Sequence, residues 1–169
     1  MTHLAQTAAT LAALDPHALG LLTETVLRIR NQGRVLYVGG NGGSYTTALH
    51  IAADLGRFMR VVALGANGGA LTAIANDINF ADVFAAEISS WAQSGDGVLL
   101  ISASGQSSNV LRALRQARRR DAVPMGLLGM GGGDALGLCQ VAVVVPSHDY
   151  GVIEDVHLAI GHHLVEALR

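Results

Sequence analysis

Residues 35–44 read Val35-Leu36-Tyr37-Val38-Gly39-Gly40-Asn41-Gly42-Gly43-Ser44. An unbroken apolar run passes into a glycine turn, and a helical pattern begins at Ser44. Short continuous apolar runs are what strands buried on both faces look like. The stretch therefore predicts a strand–turn–helix unit of a parallel α/β sheet. Such a turn brings backbone N–H groups and a helix N-terminus close to an anion or polar ligand. It is not a P-loop, because no Gly-Lys-Ser/Thr follows. It also misses the G-x-G-x-x-G spacing of a dinucleotide site, and no acidic residue ends the second strand. On spacing alone, a tight crossover turn and a ligand loop both stay open.

Working outward, apolar runs recur at about residues 60–65, 97–102, 123–128 and 140–145. Segments with helical spacing lie between them, at 44–56, 80–92 and 107–120, and a last helix is expected at about 151–168. Two helices precede the first strand. One covers residues 3–14; the other starts with Asp15 as cap and Pro16 at its first position, and ends near Asn31 and Gly33. Five strands alternating with helices predict one α/β domain over 1–169, a five-stranded parallel sheet with helices on both faces. Residues 1–32 form a leading helix pair expected to pack on a neighbouring subunit. Arg118, Arg119 and Arg120 end the 107–120 helix, where cations suit the helix dipole, and they read as a solvated helix end.

Composition narrows the class. Among 169 residues, Lys+Arg is 11 and Asp+Glu is 13, a formal charge of -2. That argues against direct nucleic-acid binding. Only 14% of residues are charged and 50% are apolar, so the chain must bury surface in partners or in a membrane. No apolar run approaches the roughly 20 residues needed to span a bilayer. Residues 1–14 lack the basic start and apolar segment of a signal peptide. The single cysteine, Cys139, excludes an internal disulfide and a thiolate metal cluster. A cytoplasmic oligomer is the expected class.

A second small-residue loop spans 99–110, Leu99-Leu100-Ile101-Ser102-Ala103-Ser104-Gly105-Gln106-Ser107-Ser108-Asn109-Val110. Ser102, Ser104 and Ser107 offer three hydroxyls beside a helix N-terminus. With no Lys or Arg in the loop, a phosphate there is held by neutral donors and the helix dipole. The plainer alternative makes Ser107 or Ser108 a helix cap.

Four motifs together resemble the phosphoheptose isomerases. They are Gly40-Asn41-Gly42-Gly43-Ser44 with His50, Leu71-Thr72-Ala73-Ile74-Ala75-Asn76-Asp77, Ser102-Ala103-Ser104-Gly105-Gln106-Ser107, and Glu154-Asp155-Val156-His157 followed by His162. They occur in the family's order across residues 33–169. The resemblance implies the sugar isomerase (SIS) fold, a flavodoxin-like three-layer αβα sandwich. It implies a homotetramer with active sites built between subunits. The implied reaction converts sedoheptulose 7-phosphate to D-glycero-D-manno-heptose 7-phosphate. Two rival readings are an isomerase for another sugar phosphate and a noncatalytic SIS-type binding module.

His50 and Asp54 are four apart on a predicted helix and share a face, which suits a metal pair, an acid–base pair or, on spacing alone, a plain surface pair. Glu154 and His162 are eight apart, a rise of about 12 Å on one straight helix. They could hardly meet at one small ion unless a second subunit completes the site or Glu154 lies before the helix becomes regular. The resemblance implies zinc or another divalent ion on His50, Asp54, Glu154 and His162. It implies Asp54 and His162 as catalytic groups. Asn41, Gly42, Gly43, Ser44, Arg57, Asp77, Ser102, Ser104 and Ser107 are the implied substrate and phosphate contacts. Asp54 stands where the family carries glutamate, Glu154 where it carries glutamine, and Ala103 replaces a hydroxyl. Residues 65–69 lack the family's Thr, Asp and Ser. His157 is expected in packing, and His3, His17, His148 and His163 as structural or exposed.

Overall fold

The computed structural model describes all 169 residues. Five strands, β1 (Val35–Gly40), β2 (Arg60–Ala63), β3 (Gly97–Ser102), β4 (Val123–Leu128) and β5 (Val141–Val144), form one parallel sheet in the order β2-β1-β3-β4-β5. Eight helices accompany them: α1 (His3–Ala12), α2 (Pro16–Asn31), α3 (Gly43–Leu55), α4 (Gly68–Asp77), α5 (Val83–Trp91), α6 (Ser108–Arg119), α7 (Gly133–Leu136) and α8 (Tyr150–Ala167). Asp15 caps α2 through His17 N–H, with Pro16 in the first turn.

Alternate strand residues face opposite layers. Leu36, Val38, Leu99, Ile101, Met125 and Leu127 pack under α2, α3 and α8. Tyr37, Val98, Leu100 and Leu128 pack under α5, α6 and α7. The expected five-stranded three-layer sandwich is thus present. Two helices went unexpected. α4 buries no residue fully, and its apolar stripe is only the partly buried Leu71, Ile74 and Ala75 against the α5–α6 layer. α7 is four residues long and enters through Gly131, Gly132 and Gly133, all at positive φ.

Strand order reverses between β1 and β3. Open α/β sheets bind ligands at such a switch point, beyond the carboxyl ends of the strands. The glycine loop after β1 and the serine loop after β3 both open there. No helix is long and apolar enough to cross a membrane.

Candidate active site

The glycine loop turns tightly enough to exclude side chains. A Cβ on Gly40 would lie 2.8 Å from the Ser44 carbonyl oxygen and 2.9 Å from that of Ile101. Gly42 starts α3 at φ +55 and supplies no side-chain cap. Both follow from the small-residue run read in the sequence.

The serine loop is held from within and from below. The Ser102 hydroxyl accepts the Gly105 N–H at 3.1 Å, and the Ser104 hydroxyl accepts the Gln106 N–H at 3.2 Å. Gly105, at φ +63, lies against the backbone of Gly132 and Gly133, and its carbonyl accepts the Ala135 N–H. Ser107 occupies the N-cap position of α6, yet its hydroxyl makes no capping bond. The capping alternative therefore does not account for Ser107, whose hydroxyl is free for a ligand.

Asn41, Ser44, Ser102, Ser104 and Ser107 line one cavity, together with Tyr150 and Glu154 from the first turns of α8. No Lys or Arg lines it, and its one ionisable acid is Glu154. Gly43, His50 and Glu154 line an adjoining groove with Thr46 and Thr47. Glu154 thus borders both. Its carboxylate lies directly over Gly43, in space a side chain at position 43 would fill. Gly42 faces the opposite side of the loop, an apolar recess walled by Tyr45, Leu71, Phe80 and Phe84. The Gly65 turn of that recess is pinned by the Tyr45 hydroxyl, which donates to the Gly65 carbonyl, and by buried Glu87, which accepts the Gly65 N–H at 2.8 Å. Burial pushes the Glu87 carboxyl upward, and the Gly65 N–H bond opposes that shift.

His50 brings the groove to Asp54 and His162, which stand beside it. His50 Nε2 is 3.3 Å from Asp54 Oδ2 and 3.3 Å from His162 Nε2; His162 Nε2 is 4.0 Å from Asp54 Oδ2. One helical turn of α3 aligns the first two, as their spacing predicts. Gly161 brings in the third, because only a residue without Cβ lets α8 approach Ile51 of α3 this closely. The donor set fits a divalent metal. A point equidistant from the three atoms lies about 2.1 Å from each, within the range of zinc–nitrogen and zinc–carboxylate bonds. All three side chains are partly exposed, which leaves an open side for a ligand.

Glu154, expected as a fourth ligand, does not join this group. Two turns of α8 separate it from His162, the rise that made their meeting difficult from sequence. Arg57 and Asp77 are not brought to the serine cavity either. Arg57 lies in the turn after α3 with its guanidinium over the Phe58 ring, and Asp77 ends α4, where it accepts the Asn76 amide. His157 is fully buried under β4, as packing predicts. His3, expected as structural or exposed, is exposed and contacts Asp155 at 2.7 Å. Tyr150 and Asn109 were missed: neither belongs to a motif, and only the fold shows what they face.

The SIS domain family model matches residues 3–129. The phosphoheptose isomerase of a Nitratiruptor species is 45% identical over 143 residues, 80% of this chain and 76% of that protein. That of Bradyrhizobium sp. (strain BTAi1) is 38% identical over 180 aligned positions, 99% of this chain and 91% of the relative. Among solved structures, a phosphoheptose isomerase from Neisseria gonorrhoeae superposes with a TM-score of 0.92 at 30% identity, covering 98% of this chain and 94% of that one.

Proposed function

The chain belongs to the phosphoheptose isomerases of the SIS-domain family, and on that premise we propose that it interconverts sedoheptulose 7-phosphate and D-glycero-D-manno-heptose 7-phosphate. The observation that carries the reading is that Glu154 borders both a serine cavity without Lys or Arg and a groove that reaches His50, with Asp54 and His162 beside that histidine.

In this reading Ser102, Ser104 and Ser107 hold the phosphate with hydroxyls and the α6 N-terminus. Asn41, Gly43 and Ser44 bind the sugar, Gly42 turns the loop with its own face toward the opposite recess, and Glu154 faces the sugar hydroxyls. Asp54 is the base that takes the proton from C1 of the ketose. The electrons form the C1–C2 double bond of an enediolate, the proton held on the base exchanges with solvent, and a proton is delivered to C2. His162 moves the compensating proton between the two oxygens. His50, Asp54 and His162 are the residues that would hold a divalent metal, with zinc the ion proposed. A bound divalent ion supplies electrophilic polarisation of the sugar oxygens. Arg57 and Asp77 belong to the site only if they complete that of a neighbouring subunit. We accordingly propose a homotetramer with sites between subunits, in which α1 and α2 take part in packing. The reaction is placed in the cytoplasm, where a charged sugar phosphate is retained and a free Cys139 stays reduced.

The test is NMR of the zinc-loaded protein with sedoheptulose 7-phosphate in D₂O. Heptose phosphate carrying deuterium at C2 is the expected product, together with exchange at C1 of recovered ketose. No product and no exchange would remove this substrate. The Asp54→Asn variant should lose turnover by about 10²-fold or more while still binding phosphate; retained turnover would take Asp54 out of the base role.

A further inference from the structure

The two halves of the proposed ligand site come from strands that are neighbours in the sheet but far apart in the chain. The glycine loop has four glycines among residues 39–43 and so little side-chain substance with which to hold itself in place. Asn41 is its one exception. The Asn41 amide donates to Asn109 Oδ1 at 2.9 Å, and the Asn109 amide donates back to Asn41 Oδ1 at 2.8 Å. Asn109 Oδ1 also accepts the Val110 N–H at 3.0 Å, which fixes which way its amide faces. Asn109 is 2% exposed. Beyond the β-ladder, no other hydrogen bond joins residues 41–44 to residues 102–109.

We propose that Asn109 is a positioning residue: its buried amide clamps Asn41, and so sets the sugar-binding loop at a fixed distance from the phosphate-binding loop. Asn109 does not line the serine cavity, whereas Asn41 does. Asn109 therefore acts through Asn41. Each amide of the pair uses one N–H on the other, so Asn41 keeps its second N–H for a ligand. Both partners are neutral, so the clamp adds no charge beside a dianion. The paired amides replace two desolvated polar groups by two satisfied ones; breaking one side orphans the other. The inference rests on the reading in which the phosphate sits at the serines and the sugar at Asn41–Ser44.

Inorganic phosphate needs only the serine loop, whereas a sugar phosphate needs both loops at the right separation. The experiment is a double-mutant cycle with Asn41→Ala, Asn109→Ala and the double variant. Dissociation constants for inorganic phosphate and sedoheptulose 7-phosphate are measured by calorimetry on zinc-loaded protein. Asn109→Ala should weaken the sugar phosphate about tenfold and inorganic phosphate less than about threefold. With Asn41 already alanine, removing Asn109 should cost nothing further. Equal weakening of both ligands, no weakening of either, or losses that multiply in the double variant would overturn the clamp. Should alanine at 109 fail to fold, Asn109→Ser carries the same cycle with less volume change. Turnover by the unaltered protein is scored separately: a protein that binds the heptulose phosphate without isomerising it refutes the reaction and leaves the clamp to the binding ratios.

Discussion

His157 is the residue whose burial has the clearest consequence. It is fully buried, its Nε2–H donates to the Leu128 carbonyl, and its Nδ1 has no partner. Burial lowers its pKa to about 4, and the Leu128 bond only partly opposes this. An unfolded histidine titrates near 6.5. Between those values the unfolded chain binds the extra proton, so stability is complete above about pH 6.5 and falls as pH drops toward 4. The expected loss from this residue is about 2 kcal/mol by pH 5. Urea unfolding at pH 7.5 and pH 5 measures it, with His157→Gln as the control. The variant should be less stable at neutral pH but flatter between the two. An equal drop in both proteins would assign the acid sensitivity to other groups. In the candidate site, His50 and Asp54 were readable from sequence because four residues on a helix place two side chains together. Ser102, Ser104 and Ser107 were readable as hydroxyls clustered at a strand end. The arrival of His162 at His50 depends on how α3 and α8 cross, which spacing within either helix does not encode.

Among the elements, all five strands were legible because strands buried on both faces leave unbroken apolar runs. Helices with an apolar stripe were legible for the same kind of reason. α4 was not, since it opens on two glycines and its apolar stripe is only the partly buried Leu71, Ile74 and Ala75. α7 was hidden in the Met130–Gly133 glycine run, although it is what braces Gly105 of the serine loop. The packing of α3 on α8 is the element contact on which the His50–Asp54–His162 group depends, and Gly161 controls it. An added Cβ would stand 2.5 Å from Ile51 Cγ1 and 2.8 Å from its Cδ1. Ile51 is buried and, being β-branched in a helix, has one favoured rotamer and no room to retreat. The helices must part. Overpacking of this kind costs about 1–3 kcal/mol, against a gain of up to about 1 kcal/mol from alanine's helix propensity. Gly161→Ala should therefore lower the thermal midpoint modestly while reducing zinc affinity by at least about tenfold, because a ligand displaced by a fraction of a bond length is lost first. Competition with a chromophoric chelator reads the affinity. Unchanged affinity with a lowered midpoint would show that the histidines do not depend on this crossing.

For the whole molecule, composition pointed to buried partner surfaces without saying where they lie, because an apolar residue reads the same in a core and in an interface. The structure narrows the place. α1 buries no residue within the chain, and Leu4 is 78% exposed. What holds α1 to α8 is polar: Asp155 contacts His3 at 2.7 Å and accepts the Thr7 hydroxyl at 3.4 Å. Exposed contacts of this kind contribute at most about 1 kcal/mol, too little to order a helix of ten residues against its conformational entropy. Covering its leucines and alanines would add about 25 cal/mol for each Å² removed from water. The proposed tetramer would supply that cover. Deleting residues 1–14 should consequently leave the αβα sandwich folded, with a far-UV spectrum changed only by the loss of one helix. Light scattering after size exclusion should at the same time show a species smaller than the full-length assembly. A truncated protein that keeps the full-length subunit number would place the interface elsewhere, with exposed Phe80 and Trp91 as the next surfaces to alter. A full-length chain that runs as a monomer would remove the inter-subunit site itself, and with it any part for Arg57 and Asp77 in the reaction.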